Sequence, residues 1–229
     1  MDILEIELLT DNMDQTRKFY SEVLGFEMTF CNANTISFMT GESILTFNQS
    51  KSEGPKYHFA FNIPCNKITE ALKWISKKTE IIKIRDDKAI ADFDSWNAKA
   101  LYFYDNNENI LEFISRAELN NLSDKPFTIS SVLSISEIGI VTDEPQEFVE
   151  KLITENKLSF FSKGKQSEDF ISLGNDNGLF IIVRTNRNWY PTKSQAQKYF
   201  TKIKFWANYT ITEITINDNK AKHSKNTFN

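Results

Sequence analysis

The chain repeats itself at long range. Glu137-Ile138-Gly139-Ile140-Val141-Thr142-Asp143 echoes Glu5-Ile6-Glu7-Leu8-Leu9-Thr10-Asp11, an offset of 132 residues. At the same offset Leu158 falls on Phe26 and Phe170 on Phe38. A repeat that keeps both a strand start and later core positions restricts the chain to folds built from a duplicated unit.

The unit reads as βαβββ. In Ile3–Leu9 the residues Leu4, Ile6 and Leu8 share one face, with Glu5 and Glu7 on the other, as in a strand. Asn12-Met13-Asp14 starts a helix, Met13, Thr16, Phe19, Tyr20, Val23 and Leu24 keep its period, and Gly25 stops it. Short strands follow at Phe26–Phe30, Thr35–Met39 and Ser43–Phe47. The pattern restarts at Tyr57–Ile63, where Tyr57, Phe59, Phe61 and Ile63 face one way and His58, Ala60 and Asn62 the other. A helix at Ile68–Ile75 and strands near Ile81–Ile84, Ala89–Asp92, Ala98–Tyr104 and Asn109–Ile114 complete the second unit. The third takes Pro145–Asn156 as its helix and Leu158–Ser162, Asp169–Leu173 and Gly178–Arg184 as strands. The expected fold is α+β, with tandem modules over 1–116, a linker at 117–130, a third βαβββ-like module over 131–205, and a C-terminal segment and polar tail at 206–229.

Composition removes other classes. The net charge is −4, and Lys77–Arg85, the densest basic run, is interrupted by Glu80 and isoleucines, so a nucleic-acid partner is not expected. No uncharged run approaches the roughly 20 residues that span a bilayer. Cys31 and Cys65 lie far apart, which fits a reducing compartment and a cytoplasmic location.

Three segments carry a resemblance to a known family. "FYSEVLGFEMTF" (Phe19–Phe30) resembles the helix-to-strand signature of the vicinal-oxygen-chelate superfamily of glyoxalases, bleomycin-resistance proteins and extradiol dioxygenases. "YFYDNNENILEFI" (Tyr102–Ile114) is similar to its last hairpin, and "YHFAFNIP" (Tyr57–Pro64) to the strand opening a second module. The resemblance implies that modules pair into a cup-shaped mixed sheet whose first and last strands point metal ligands inward. The matching positions are Glu5, His58 and Glu112, where family members commonly carry His, His and Glu. One imidazole and two carboxylates suit Fe, Mn, Ni or Zn with open positions.

The fourth ligand position holds Thr46, which points to three protein ligands and a place for substrate. Glu137 occupies the matching place in the third module; as a lone carboxylate there, it implies that this module packs or shapes the fold. Tyr102 and Tyr104 share parity with Glu112 and are candidates for orienting substrate or donating a proton; Trp96 is a candidate cavity wall, and Arg187-Asn188-Trp189-Tyr190-Pro191 places a cation beside aromatics. Two functions are weighed. One is a metal-dependent lyase, dioxygenase or thiol transferase acting on a small oxygenated substrate. The other is a metal-free, drug-sequestering protein with aromatic walls. The third module, left over once the first two pair, implies either a homodimer or cover from Lys202–Ile216.

Overall fold

The computed structural model describes residues 1–51, 54–85, 87–217 and 220–226, the last stretch by its backbone. The first module is β1 (Asp2–Thr10), α1 (Met13–Lys18), β2 (Glu27–Cys31), β3 (Thr35–Thr40) and β4 (Ser43–Gln49). Asn12 caps α1 by accepting from the Gln15 amide at 3.0 Å. The helix runs on as a π-helical turn, Phe19–Leu24, and ends at Gly25, whose φ of +91° is the left-handed conformation that favours glycine.

The second module is β5 (His58–Ile63), α2 (Ile68–Ile75), β6 (Ile81–Ile82), β7 (Ala91–Phe93), β8 (Ala98–Tyr104) and β9 (Ile110–Arg116). Asp105 builds the β8–β9 turn, accepting from the Asn107 and Asn109 amides, and it also accepts from the Tyr20 hydroxyl at 2.7 Å. A buried hydrogen bond thus ties the first helix to the second module.

The third module is β10 (Ser134–Thr142), α3 (Pro145–Asn156), β11 (Phe170–Asn175) and β12 (Gly178–Arg184). The strand expected at Leu158–Ser162 is reduced to a single bridge from Phe160 to Leu173. Three more strands follow: β13 (Thr201–Ala207), β14 (Thr210–Asn217) and β15 (Lys220–Asn226). The boundary expected at 205 therefore falls inside β13. Part of the segment expected as a polar tail forms β15 against β14, while residues 218–219 and 227–229 lie outside the described residues.

All the strands belong to one open, curled sheet with few helices against it. Its central path runs β15-β14-β13-β1-β10-β5-β9-β8-β6. This pairing differs from the expected one. β5 of the second module pairs antiparallel with β10 of the third, and β1 pairs antiparallel with β13. β1 and β10 meet only at Ile3↔Ile135, where the two halves join. Lys202–Ile216 does add strands, but it covers the first module. All the first strands carry the same apolar alternation, so any two can pack together; long-range pairing decides which do.

The sheet buries two faces unequally. Towards the helices lies the main core, with Ile6, Phe38, Phe47, Phe59, Phe61, Phe113, Ile138 and Phe205 all fully buried. A smaller cluster on the opposite face contains Ala60, Ala100, Tyr102, Ile114, Ile181 and Trp189. Its small residues at the sheet centre leave a cavity.

Candidate metal centre and cavity

Three neighbouring strands build the floor of that cavity. Ala60 on β5 lies opposite Glu112 on β9, in parallel register, and opposite Glu137 on β10, in antiparallel register. An irregularity between Ile135 and Glu137 sets the second pairing. The alanine between them is too small to separate the two carboxylates. His58, two residues earlier on β5, points to the same face. One ligand atom from each of His58, Glu112 and Glu137 lies within 4.8 Å of the other two, and all three residues are buried.

The imidazole is oriented. Its Nδ1 makes a 3.0 Å hydrogen bond with the Ile110 carbonyl, so Nδ1 donates and Nε2 is left with its lone pair. Nε2 is 3.6 Å from Glu112 Oε2, too far for a hydrogen bond. Burial lowers the His58 pKa to about 4, against the opposing effect of the Ile110 bond, so the ring is neutral at physiological pH. Burial raises the Glu112 pKa well above the usual carboxylate range, and the charge of Glu137 adds to the rise; Arg116 and the Tyr102 hydroxyl oppose it. Burial also raises Glu137, opposed by Arg116.

Arg116 is the group that makes two buried carboxylates tenable. It is fully buried on β9, on the same face as Glu112, and its Nη2 pairs with Glu137 Oε1. Nη1 is 3.7 Å from Asp176 and has no hydrogen-bond partner among the described residues. The guanidinium lies 5.6 Å from the centroid of the Trp96 ring and 5.8 Å from that of Phe161.

The cavity above measures about 240 Å³. Its walls include Phe93, Trp96, Tyr102, Ile181, Trp189 and Tyr190, with Phe170 and Arg187 also lining it. Tyr190 is 45% exposed and marks the mouth, whereas Trp189 is buried against Gly139. A methyl group at Gly139 would lie 2.6 Å from the Trp189 ring, so the glycine is what lets the Arg187–Pro191 loop roof the site.

The structure thus brings together His58, Glu112, Tyr102 and Trp96 from the residues singled out in the sequence. Glu5 stands elsewhere: half-buried on β1, it accepts from Thr46 at 2.9 Å and lies opposite Lys204. Thr46 bonds Glu5 and Ser37 and is likewise away from the cavity, because β1 pairs with β13 and not with β5. Tyr104, near the end of β8, does not line the cavity, and its carbonyl accepts from Thr79. Glu137 takes the place expected of Glu5, so the third module contributes directly to the site. The repeat already gave Glu137 the position equivalent to Glu5, but it did not say which module faces His58. Nothing in the sequence pattern marked Arg116.

One sheet of repeated modules thus carries a buried His–Glu–Glu group on the face opposite the main core. Residues 2–113, just under half of the chain, match the model of the Glyoxalase/Bleomycin resistance protein/Dioxygenase superfamily. Among solved structures, a candidate dioxygenase from Bacillus subtilis aligns over 98% of this chain and 84% of its own, with a TM-score of 0.61 at 13% identity. That likeness is one of fold, and it extends through all the modules. Shorter matches include an integron cassette protein from the mobile metagenome of Halifax Harbour sewage outfall, at 23% identity over 49% of this chain and 97% of its own, TM-score 0.44. Another is a fosfomycin resistance protein from Listeria monocytogenes complexed with Mn(II), at 16% identity over 49% of this chain and 87% of its own, TM-score 0.39. A search of curated proteins returns no match. Among the described residues, no helix is long and apolar enough to cross a membrane.

Proposed function

We propose that the protein binds one divalent metal ion through His58, Glu112 and Glu137 and acts on a small oxygenated substrate in the cavity above them. The observation that carries this reading is the convergence of three buried donors within 4.8 Å. Metal–ligand distances of about 2.0–2.2 Å put neighbouring donors roughly 3.0–3.6 Å apart, so side-chain rotations that move the donors by about 1 Å would complete the shell. The imidazole is already neutral and held by its second nitrogen, as a ligand histidine is. One nitrogen and two carboxylates suit Fe(II), Mn(II), Ni(II) or Zn(II) with positions left open.

A bound ion would act there as a Lewis acid towards a substrate oxygen. The protein's own groups do the rest. Tyr102 lies opposite Glu112 in the β8–β9 register and its hydroxyl favours the charged carboxylate, while the aromatic walls exclude water and strengthen every charge inside. Arg116 takes one oxygen of Glu137 and leaves the other for the site. The cavity is smaller than the roughly 300–1,000 Å³ of drug-sized pockets. This favours a compact substrate over a peptide-sized thiol conjugate or a large drug.

The second reading, a metal-free binding protein, is favoured by Arg116, which already neutralises one carboxylate. Metal analysis of protein purified without chelator separates the two. The expected result is close to one metal ion per chain, lost in His58→Ala while circular dichroism shows the chelator-treated variant still folded, with a melting temperature lowered by the void left at a buried position. Wild-type protein that takes up no divalent ion on titration would leave the sequestering reading.

A further inference from the structure

We propose that the cavity takes a single-ring aromatic anion, its ring held between the aromatic walls and its charge drawn to Arg187 at the mouth. This rests on the cavity being the ligand site, but not on a metal at its floor. Three observations combine. The cavity volume of about 240 Å³ is too small for a drug-sized ligand and large enough for one substituted ring. Its walls are aromatic on several sides, with Phe93, Trp96, Tyr102, Phe170, Trp189 and Tyr190 all lining it. Such faces select flat rings by offset or edge-on stacking.

The third observation is the charge at the mouth, which opposes that of the whole chain. The chain carries −4, yet Arg187 lines this opening, and Arg85 is near enough to act on the Tyr190 hydroxyl. Arg187 is held over the Phe170 ring at 4.9 Å, and its side chain is 30% exposed. Its charge partner is Asp169, with Nε at 3.4 Å from a carboxylate that is 52% exposed and also accepts from Ser167. That contact is long for a hydrogen bond, and a planar guanidinium engages a ligand carboxylate through two parallel donors. An entering carboxylate therefore has a better geometry to offer Arg187 than Asp169 does. Neutral rings would keep the stacking and lose this contact.

The test uses benzoate, its neutral isostere benzamide, and cyclohexanecarboxylate as probes on chelator-treated full-length protein. Binding is read by quenching of Trp96 and Trp189 fluorescence and by calorimetry. Benzoate is expected to bind about fivefold more tightly than benzamide, a ratio typical of a partly exposed charge contact, and more tightly than cyclohexanecarboxylate. Arg187→Gln should remove the preference over benzamide without weakening benzamide itself. Asp169→Asn, at an exposed site, should increase the preference. Equal binding of benzoate and benzamide by the wild type, no binding of either, or a preference that survives in Arg187→Gln would overturn the proposal. Metal uptake is measured separately, so a protein that prefers benzoate but takes up no metal sinks only the metal reading. One that takes up metal without the preference sinks only this one.

Discussion

Arg116 is an uncommon residue, because fully buried arginines persist only when paired. It sits between Glu137, Asp176 and two aromatic rings, so truncating it strands a carboxylate in the dark of the fold. Arg116→Met is expected to cost about 3–5 kcal/mol in urea denaturation, as broken buried ion pairs do, with Arg116→Lys recovering part of the loss. Glu112 makes the opposite prediction. A raised carboxyl pKa means that the charged form is disfavoured by folding. The associated stability is fully present below the unfolded pKa and lost as pH rises through the folded one. Metal-free Glu112→Gln should therefore melt above wild type at neutral pH, by several degrees, and the gain should shrink on acidification. His58 runs the other way: with its pKa lowered to about 4, its contribution favours folding at higher pH and is lost as pH falls from about 6.5 towards 4. An unchanged melting difference between pH 5 and pH 8 would count against the buried charge on Glu112. Of these residues, His58 stands on the more polar parity of its strand, whereas Glu112 shares parity with Ile110 and Ile114 and was readable only through the family resemblance. Arg116 was not readable, since an arginine ending a strand looks like any solvent-facing cation.

At the level of elements, β10 carries most of the surprise. Its kinship with β1 is plain in Glu137–Asp143, and its apolar alternation fixed it as a strand. Its partner was not readable. The first strands of all three modules offer similar faces, and the choice of β5 over β1 depends on contacts formed far along the chain. The same strand shows why a glycine replaces Glu7 of the repeat: at Gly139 the Trp189 ring needs the space. Gly139→Ala should cost about 1–3 kcal/mol by overpacking. It should also raise the accessibility of the Trp189 ring to a neutral quencher such as acrylamide. A stable variant with unchanged quenching would mean that the loop roofs the cavity without that contact.

For the molecule as a whole, β13 and β14 complete the half of the sheet that β1 begins. Lys202 pairs there with Glu7 and Glu213, and Ile203, Phe205 and Ile214 are fully buried. Ending the chain before Thr201 should expose β1 along one edge and cause aggregation, visible by light scattering, because unpaired edges are templates for pairing. The expected homodimer rested in part on unpaired strand edges in the third module, and one edge of β10 is paired with β5. A monomeric mass is therefore expected at micromolar concentration, and a dimeric one would point to the exposed Phe30, Met39 and Trp206 of the other half.

The donors of the candidate centre lie at positions 58, 112 and 137, and the loop that roofs them begins at 187. A ribosome delivers these in order. β5 and β9 emerge before β10, so His58 and Glu112 stand side by side with one flank still wet, and the roof follows within seconds at about 5–20 residues per second. On the proposed function, an ion has its easiest entry in that interval. A chelator present during cell-free synthesis and then removed should leave less metal in the finished protein than the same treatment applied after folding. Equal metal content would show that the roof opens readily in the folded state.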